Sequence, residues 1–189
     1  MAIKKVHDTS DKTWFVTFTC FNWISLFQIT DSYDLIYDWL NMIKEKYAID
    51  TIAFVIMPNH VHLILHLNIS NDLNKVISNG KRFIAYEIIK RLKSQNQNDI
   101  LNILSKACSE GEKKKGQLHK AFEPSFDAKE ILYNSFLLQK LNYIHNNPVS
   151  GKWQLAETFI DYEHSSVCLY ENNLPHQKID ITHYMDLTE

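Results

Sequence analysis

Residues 57–67 read "MPNHVHLILHL". Pro58 cannot donate to a β-ladder, so Thr51–Met57 ("TIAFVIM") and His60–Leu67 are two strands joined by a short hairpin-like connection at Pro58 and Asn59. Along a strand, side chains at i and i+2 share a face. Val61, Leu63, Leu65 and Leu67 therefore form an apolar face turned to a core, while His60 and His62 stand side by side on the other, roughly 7 Å apart along the backbone. Two imidazoles at that spacing can converge on one metal ion. The same pair also fits an idle strand end, so a second element must supply the rest of any site.

Outward from the hairpin the periodicities alternate. Thr13–Phe21 ("TWFVTFTCF") is β-branched and aromatic and reads as a strand. Behind Thr30 or Asp31 as cap, Leu35, Ile36, Trp39, Leu40, Ile43 and Tyr47 give a helix of about 31–47. Leu73, Val76, Ile77, Gly80, Ile84, Ile88 and Leu92 mark a second helix, with Lys75, Lys81, Arg82, Lys90, Arg91 and Lys93 mostly off the stripe and Gly80 placed for close packing against a sheet. From 94 to about 127 the chain is polar, with a short helix expected near Ile100–Lys106 and a mobile loop around Glu110–Gly116. Ile131–His145 is a third helix, stopped by Asn146, Asn147 and Pro148. Residues 149–189 are mixed and acidic and do not resolve into elements.

This order predicts an α/β (α+β) sandwich, ferredoxin-like in plan, with a mostly antiparallel sheet, helices packed on it and a C-terminal extension. The 189 residues, 45% of them hydrophobic, suffice for one core and a single domain. Its parts are a core over 12–148, a polar insertion over 94–127 and the extension over 149–189. No apolar run reaches membrane length and residues 1–11 lack the apolar centre of a signal peptide, so no membrane role and a cytoplasmic location are expected. Cys20, Cys108 and Cys168 are odd in number and widely spaced, and read as reduced thiols. The net charge of −2 argues mildly against an anionic partner, yet residues 75–120 hold 11 Lys and Arg against 4 Asp and Glu, a local +7. A positive centre of this kind can meet a phosphate backbone.

The third helix carries a polar line at i, i+4 and i+8: Gln139, Tyr143 and Asn147. "MPNHVHLIL" followed by "LNYIHNNPVSGKW" (Leu141–Trp153) resembles the HUH-type single-tyrosine transposases, and within them the REP-associated tyrosine transposase group. "WFVTFTCFNW" (Trp14–Trp23) and "DYEHSS" (Asp161–Ser166) are similar to that group as well, so the resemblance spans roughly residues 12–170. It implies a catalytic core over 12–148 in which His60 and His62 are metal ligands and Tyr143 is the nucleophile. Asn147 would be the third ligand, with Gln139 in reserve, although some relatives carry glutamine at the third position. The implied cofactor is a divalent metal, Mg or Mn. The implied substrate is single-stranded or hairpin DNA, and the family is commonly homodimeric.

Such a site cleaves and rejoins a strand through a 5′-phosphotyrosine intermediate, leaving a free 3′ hydroxyl on the other fragment. Lys81, Arg82, Lys90 and Arg91, with the loop Lys113, Lys114 and Lys115, are the expected backbone contacts. Two other readings are a non-catalytic hairpin-binding module and a metal-dependent phosphodiesterase that uses water.

Overall fold

The computed structural model describes residues 12–68 and 70–187. Its elements run β1 (Lys12–Thr19), α1 (Leu26–Ile29), α2 (Asp34–Tyr47), β2 (Asp50–Ile56), β3 (His60–Leu67), α3 (Leu73–Ser94), α4 (Asn98–Lys106), α5 (Glu110–Lys114), β4 (Asp127–Glu130), α6 (Asn134–Asn146) and α7 (Val167–Asn172). The four strands form one antiparallel sheet in the order β2-β3-β1-β4. Together with α2 and α3 this is the β-α-β-β-α-β ferredoxin-like arrangement that the sequence predicts.

Alternation decides what each face holds. Trp14, Val16 and Phe18 of β1 and Val61, Leu63, Leu65 and Leu67 of β3 join the larger core, with Leu35, Ile36, Trp39, Leu40 and Ile43 of α2 and Ile77, Ile84 and Ile88 of α3. The other face is not left to solvent. Phe15, Val55 and Ile64 pack with Leu141 and Ile144 of α6 and with Tyr162 in a second, smaller core. His60 and His62 belong to this second face and are each only 5% exposed, so they do not sit at an open strand end.

Several expectations give way to tertiary contacts. The first long helix starts at Asp34 rather than near residue 31, because residues 26–29 close a separate turn in which Thr30 Oγ1 donates to Leu26 O at 2.7 Å. Gly80 packs against a helix instead of the sheet: a Cβ there would lie 2.3 Å from the Trp39 indole. Residues 110–114 are helical rather than a loop, held by a capping box between Ser109 and Glu112. The polar region 94–127 therefore carries α4 and α5 and leads into β4, a strand whose sequence "DAKE" has no apolar alternation and which is defined by pairing with β1.

The C-terminal segment covers the outer edge of β2. Ile56 N donates to His164 O at 2.9 Å, Ser166 N to Phe54 O at 3.0 Å and Thr182 N to Thr51 O at 3.0 Å. Tyr162 Oη and Tyr170 Oη donate to Ile56 O and Ile52 O at 2.8 and 2.9 Å. No helix among the described residues is long and apolar enough to cross a membrane.

Candidate active site

The antiparallel register sets Thr17 of β1 opposite His62 and Phe15 opposite Ile64. Thr17 Oγ1 lies 2.7 Å from His62 Nδ1. The Phe15 ring stacks on the His62 imidazole at 5.6 Å and meets the Tyr143 ring edge-on at 6.0 Å. Helix α6 returns over this face because Leu137, Leu141 and Ile144 are its buried stripe, which carries Tyr143 to the histidines. Tyr143 Oη stands 3.4 Å from His62 Nε2, a long contact, and the residue is 46% exposed. Nucleophile candidate and imidazole thus meet within one chain.

His60 has its proton placed by a relay. Asn59 Nδ2 donates to Trp23 O at 2.8 Å, which fixes the amide so that its Oδ1 faces His60 Nδ1 at 2.7 Å. An amide oxygen can only accept, so Nδ1 carries the proton and Nε2 keeps a free lone pair. Burial lowers the His60 pKa to about 4 despite the Asn147 side chain beside it, which raises it, and Lys152 lowers it further. Burial, then His60 and Lys140, lower that of His62 to about 3. Both rings are neutral near pH 7, the state in which imidazole binds metal.

Asn147 closes the set. Pro148 leaves Asn147 helical, at φ −55 and ψ −43, before a short 3-10 turn over 147–149. The amide is 9% exposed, and its buried Oδ1 has no hydrogen-bond partner. A buried acceptor left without a partner beside the neutral His60 imidazole, whose ring stands 4.8 Å from that of His62, fits a divalent ion, which would satisfy it. The set is sparse: among the described residues no three His, Cys, Asp or Glu side chains gather where they could hold a metal. Two nitrogens and an amide oxygen, with no carboxylate, would leave about half of an octahedral shell for substrate oxygens. Gln139, the reserve ligand, is exposed one turn before Tyr143, and among the described residues it makes no hydrogen bond to either imidazole.

The expected DNA contacts need correction. Lys81 is buried, and its ammonium donates to Glu123 O at 2.7 Å and Ser125 O at 2.9 Å, so it is not available to a phosphate. Burial lowers its pKa to about 8. Arg91 is bound to Asp34 through both guanidinium nitrogens. Lys90 and Lys113 pair with Glu87 and Glu110, and Arg82 reaches Asn79 Oδ1 at 3.4 Å, while Lys114 and Lys115 are exposed. More decisively, α3 packs on the sheet face opposite the histidines.

Two other lysines occupy the site instead. Lys140 Nζ sits 4.6 Å above the Phe15 ring and 5.4 Å from the Tyr143 ring, and burial, then Lys129, lowers its pKa. Lys152 Nζ lies 5.3 Å over Trp153, whose indole contacts His60. Thr17, Asn59, Lys140 and Lys152 escape sequence reasoning. Only the i, i−3 spacing of Lys140 from Tyr143 could have flagged any of them.

Residues 25–106 match the protein family described as "Transposase IS200 like", a span that contains His60 and His62 but ends before Tyr143. A solved structure of a REP-associated tyrosine transposase bound to a REP hairpin is 19% identical, with a TM-score of 0.60, and the match covers 100% of this chain and 98% of that one. At this identity the likeness is one of fold. A provisionally assigned transposase from Deinococcus radiodurans R1 is 16% identical over 76% of this chain and 97% of its own, with a TM-score of 0.44. No curated protein matches the chain.

Proposed function

We propose, from the match of residues 25–106 to the family described as "Transposase IS200 like", that this protein cleaves and rejoins single-stranded DNA beside hairpins through a phosphotyrosine formed on Tyr143. The observation that carries the proposal is the approach of Tyr143 Oη to within 3.4 Å of His62 Nε2, beside His60 and the orphaned Asn147 Oδ1.

A phosphodiester repels nucleophiles, so a site needs positive charge at its oxygens and an attacking oxygen held in line with the leaving group. His60, His62 and Asn147 would hold one divalent ion, Mg or Mn, which when bound supplies Lewis-acid polarisation of the phosphate. Lys140 adds a second cation beside the phenol. The Tyr143 oxygen forms a bond to phosphorus, the bond to the 3′ oxygen breaks, and that oxygen leaves as a hydroxyl with a proton taken from water. The products are a 5′-phosphotyrosine and a free 3′ end, and the reverse attack restores the strand without ATP. His62 Nε2 cannot serve both as ligand and as acceptor of the phenol proton. Because Tyr143 is half-exposed, its proton leaves to water once that nitrogen is engaged.

The test is incubation with a single-stranded hairpin oligonucleotide and Mg or Mn, followed by a denaturing gel. A covalent protein–DNA adduct that disappears in Tyr143→Phe is the expected result. Cleavage without an adduct would favour the water-using phosphodiesterase, and binding alone would favour the non-catalytic module.

A further inference from the structure

We propose that Trp23 is a stacking platform for an unpaired nucleobase adjoining the phosphate at His60 and His62, an inference that rests on the strand-cleavage reading above. Trp23 is 60% exposed, and its ring meets the His60 imidazole edge-on at 5.7 Å. An indole left this open beside two buried imidazoles is not packing a core, since none of Phe21, Asn22 and Trp23 is buried.

The backbone underneath is costly. Asn22 and Trp23 have φ of +50 and +57, a left-handed region that a bulky aromatic residue rarely adopts. Three bonds hold the turn there: Asn22 N donates to Glu123 Oε1 at 2.9 Å, Trp23 N to Cys20 O at 3.1 Å, and Trp23 O accepts from Asn59 Nδ2 at 2.8 Å. The last bond belongs to the amide that sets the His60 proton, so the platform and the imidazole are positioned by one side chain. Strain of this kind persists where the surroundings impose it, commonly at ligand sites.

The chemistry suits a base on a charged strand. Trp153 approaches the same imidazole from its own side at 6.3 Å, with Lys152 above it as a cation for the adjoining phosphate. Every base has a π-face, so stacking tolerates any sequence and needs no edge contacts.

The full chain carrying Tyr143→Phe, which cannot form an adduct, is titrated by fluorescence anisotropy with two labelled probes. One is a 12-nucleotide oligothymidylate, the other an abasic oligomer with the same number of phosphates. The chain should prefer the base-bearing probe by about 5- to 100-fold. Adding Trp23→Ala should remove at least fivefold of that preference while leaving affinity for the abasic probe unchanged, and Trp23→Phe should restore part of it. Trp23→Gly, which relieves the positive φ, should raise Tm by about 2–4 °C while losing the same preference. A preference that survives Trp23→Ala, or an equal loss on both probes, overturns the proposal with the cleavage reading intact. Should the chain bind neither probe, the platform fails, whereas the cleavage reading fails only if the hairpin oligonucleotide gives no Tyr143-dependent adduct.

Discussion

His62 gives one ring nitrogen to Thr17 and turns the other to Tyr143, so the orientation of a candidate ligand depends on a hydroxyl 45 residues away. Thr17→Val removes that partner with almost no change in shape. Manganese affinity, read by calorimetric titration, should fall by about 10- to 100-fold, with Tm nearly unchanged. If affinity holds, the hydroxyl plays no part in orienting the ring. His60→Ala and His62→Ala should abolish cleavage and leave hairpin binding largely intact, which a mobility-shift assay beside the gel would check. At this scale the sequence was informative where spacing alone carries meaning. His60 and His62 share a strand face, and Tyr143 and Asn147 share a helix face, so local geometry exposes both pairs. Thr17, Asn59 and Trp23 were invisible because their roles come from the register of β1 against β3 and from a turn that the register closes.

Helix α3 is a correctly expected element whose basic residues lie apart from the histidines. Its periodicity predicted a helix over 73–92, close to the observed Leu73–Ser94, yet its basic residues lie across the sheet from the site. Replacement of Arg82 or Lys90 by methionine should therefore change affinity for single-stranded DNA less than Lys140→Met or Lys152→Met. Each of the latter should lower the slope of log affinity against log salt by about one counterion. Equal slopes for all four variants would return the strand to α3. Gly80→Ala belongs to the same element: its methyl would press into Trp39, and unfolding in urea should show a loss of about 1–3 kcal/mol. Strand β4 and helix α5 were missed for a physical reason. Four residues, three of them charged, become a strand only because β1 offers a ladder, and five become a helix through one capping box.

Among the described residues, three histidines are buried with lowered pKa: His60 and His145 at about 4, and His62 at about 3. The unfolded chain takes up protons at these positions below about pH 6.5 while the folded one does not, so stability is greatest above that value. It should fall as pH drops from about 6.5 to about 4, with His145 alone contributing at most about 3 kcal/mol. Urea midpoints at pH 7.5 and 4.5 test this, and a flat profile would sink it. The two-layer plan was legible because His60–Leu67 alternates cleanly between leucine or valine and its other residues. The covering of β2 by residues 162–182 was not, since those residues follow no period and take their places from backbone groups already in the sheet. This covering gives the extension a protective duty independent of any chemistry. A chain cut short before Tyr162 would bare a rim of unanswered donors and acceptors on Ile52, Phe54 and Ile56. Such molecules would be expected to zip together border to border and leave solution as fibrils or clumps.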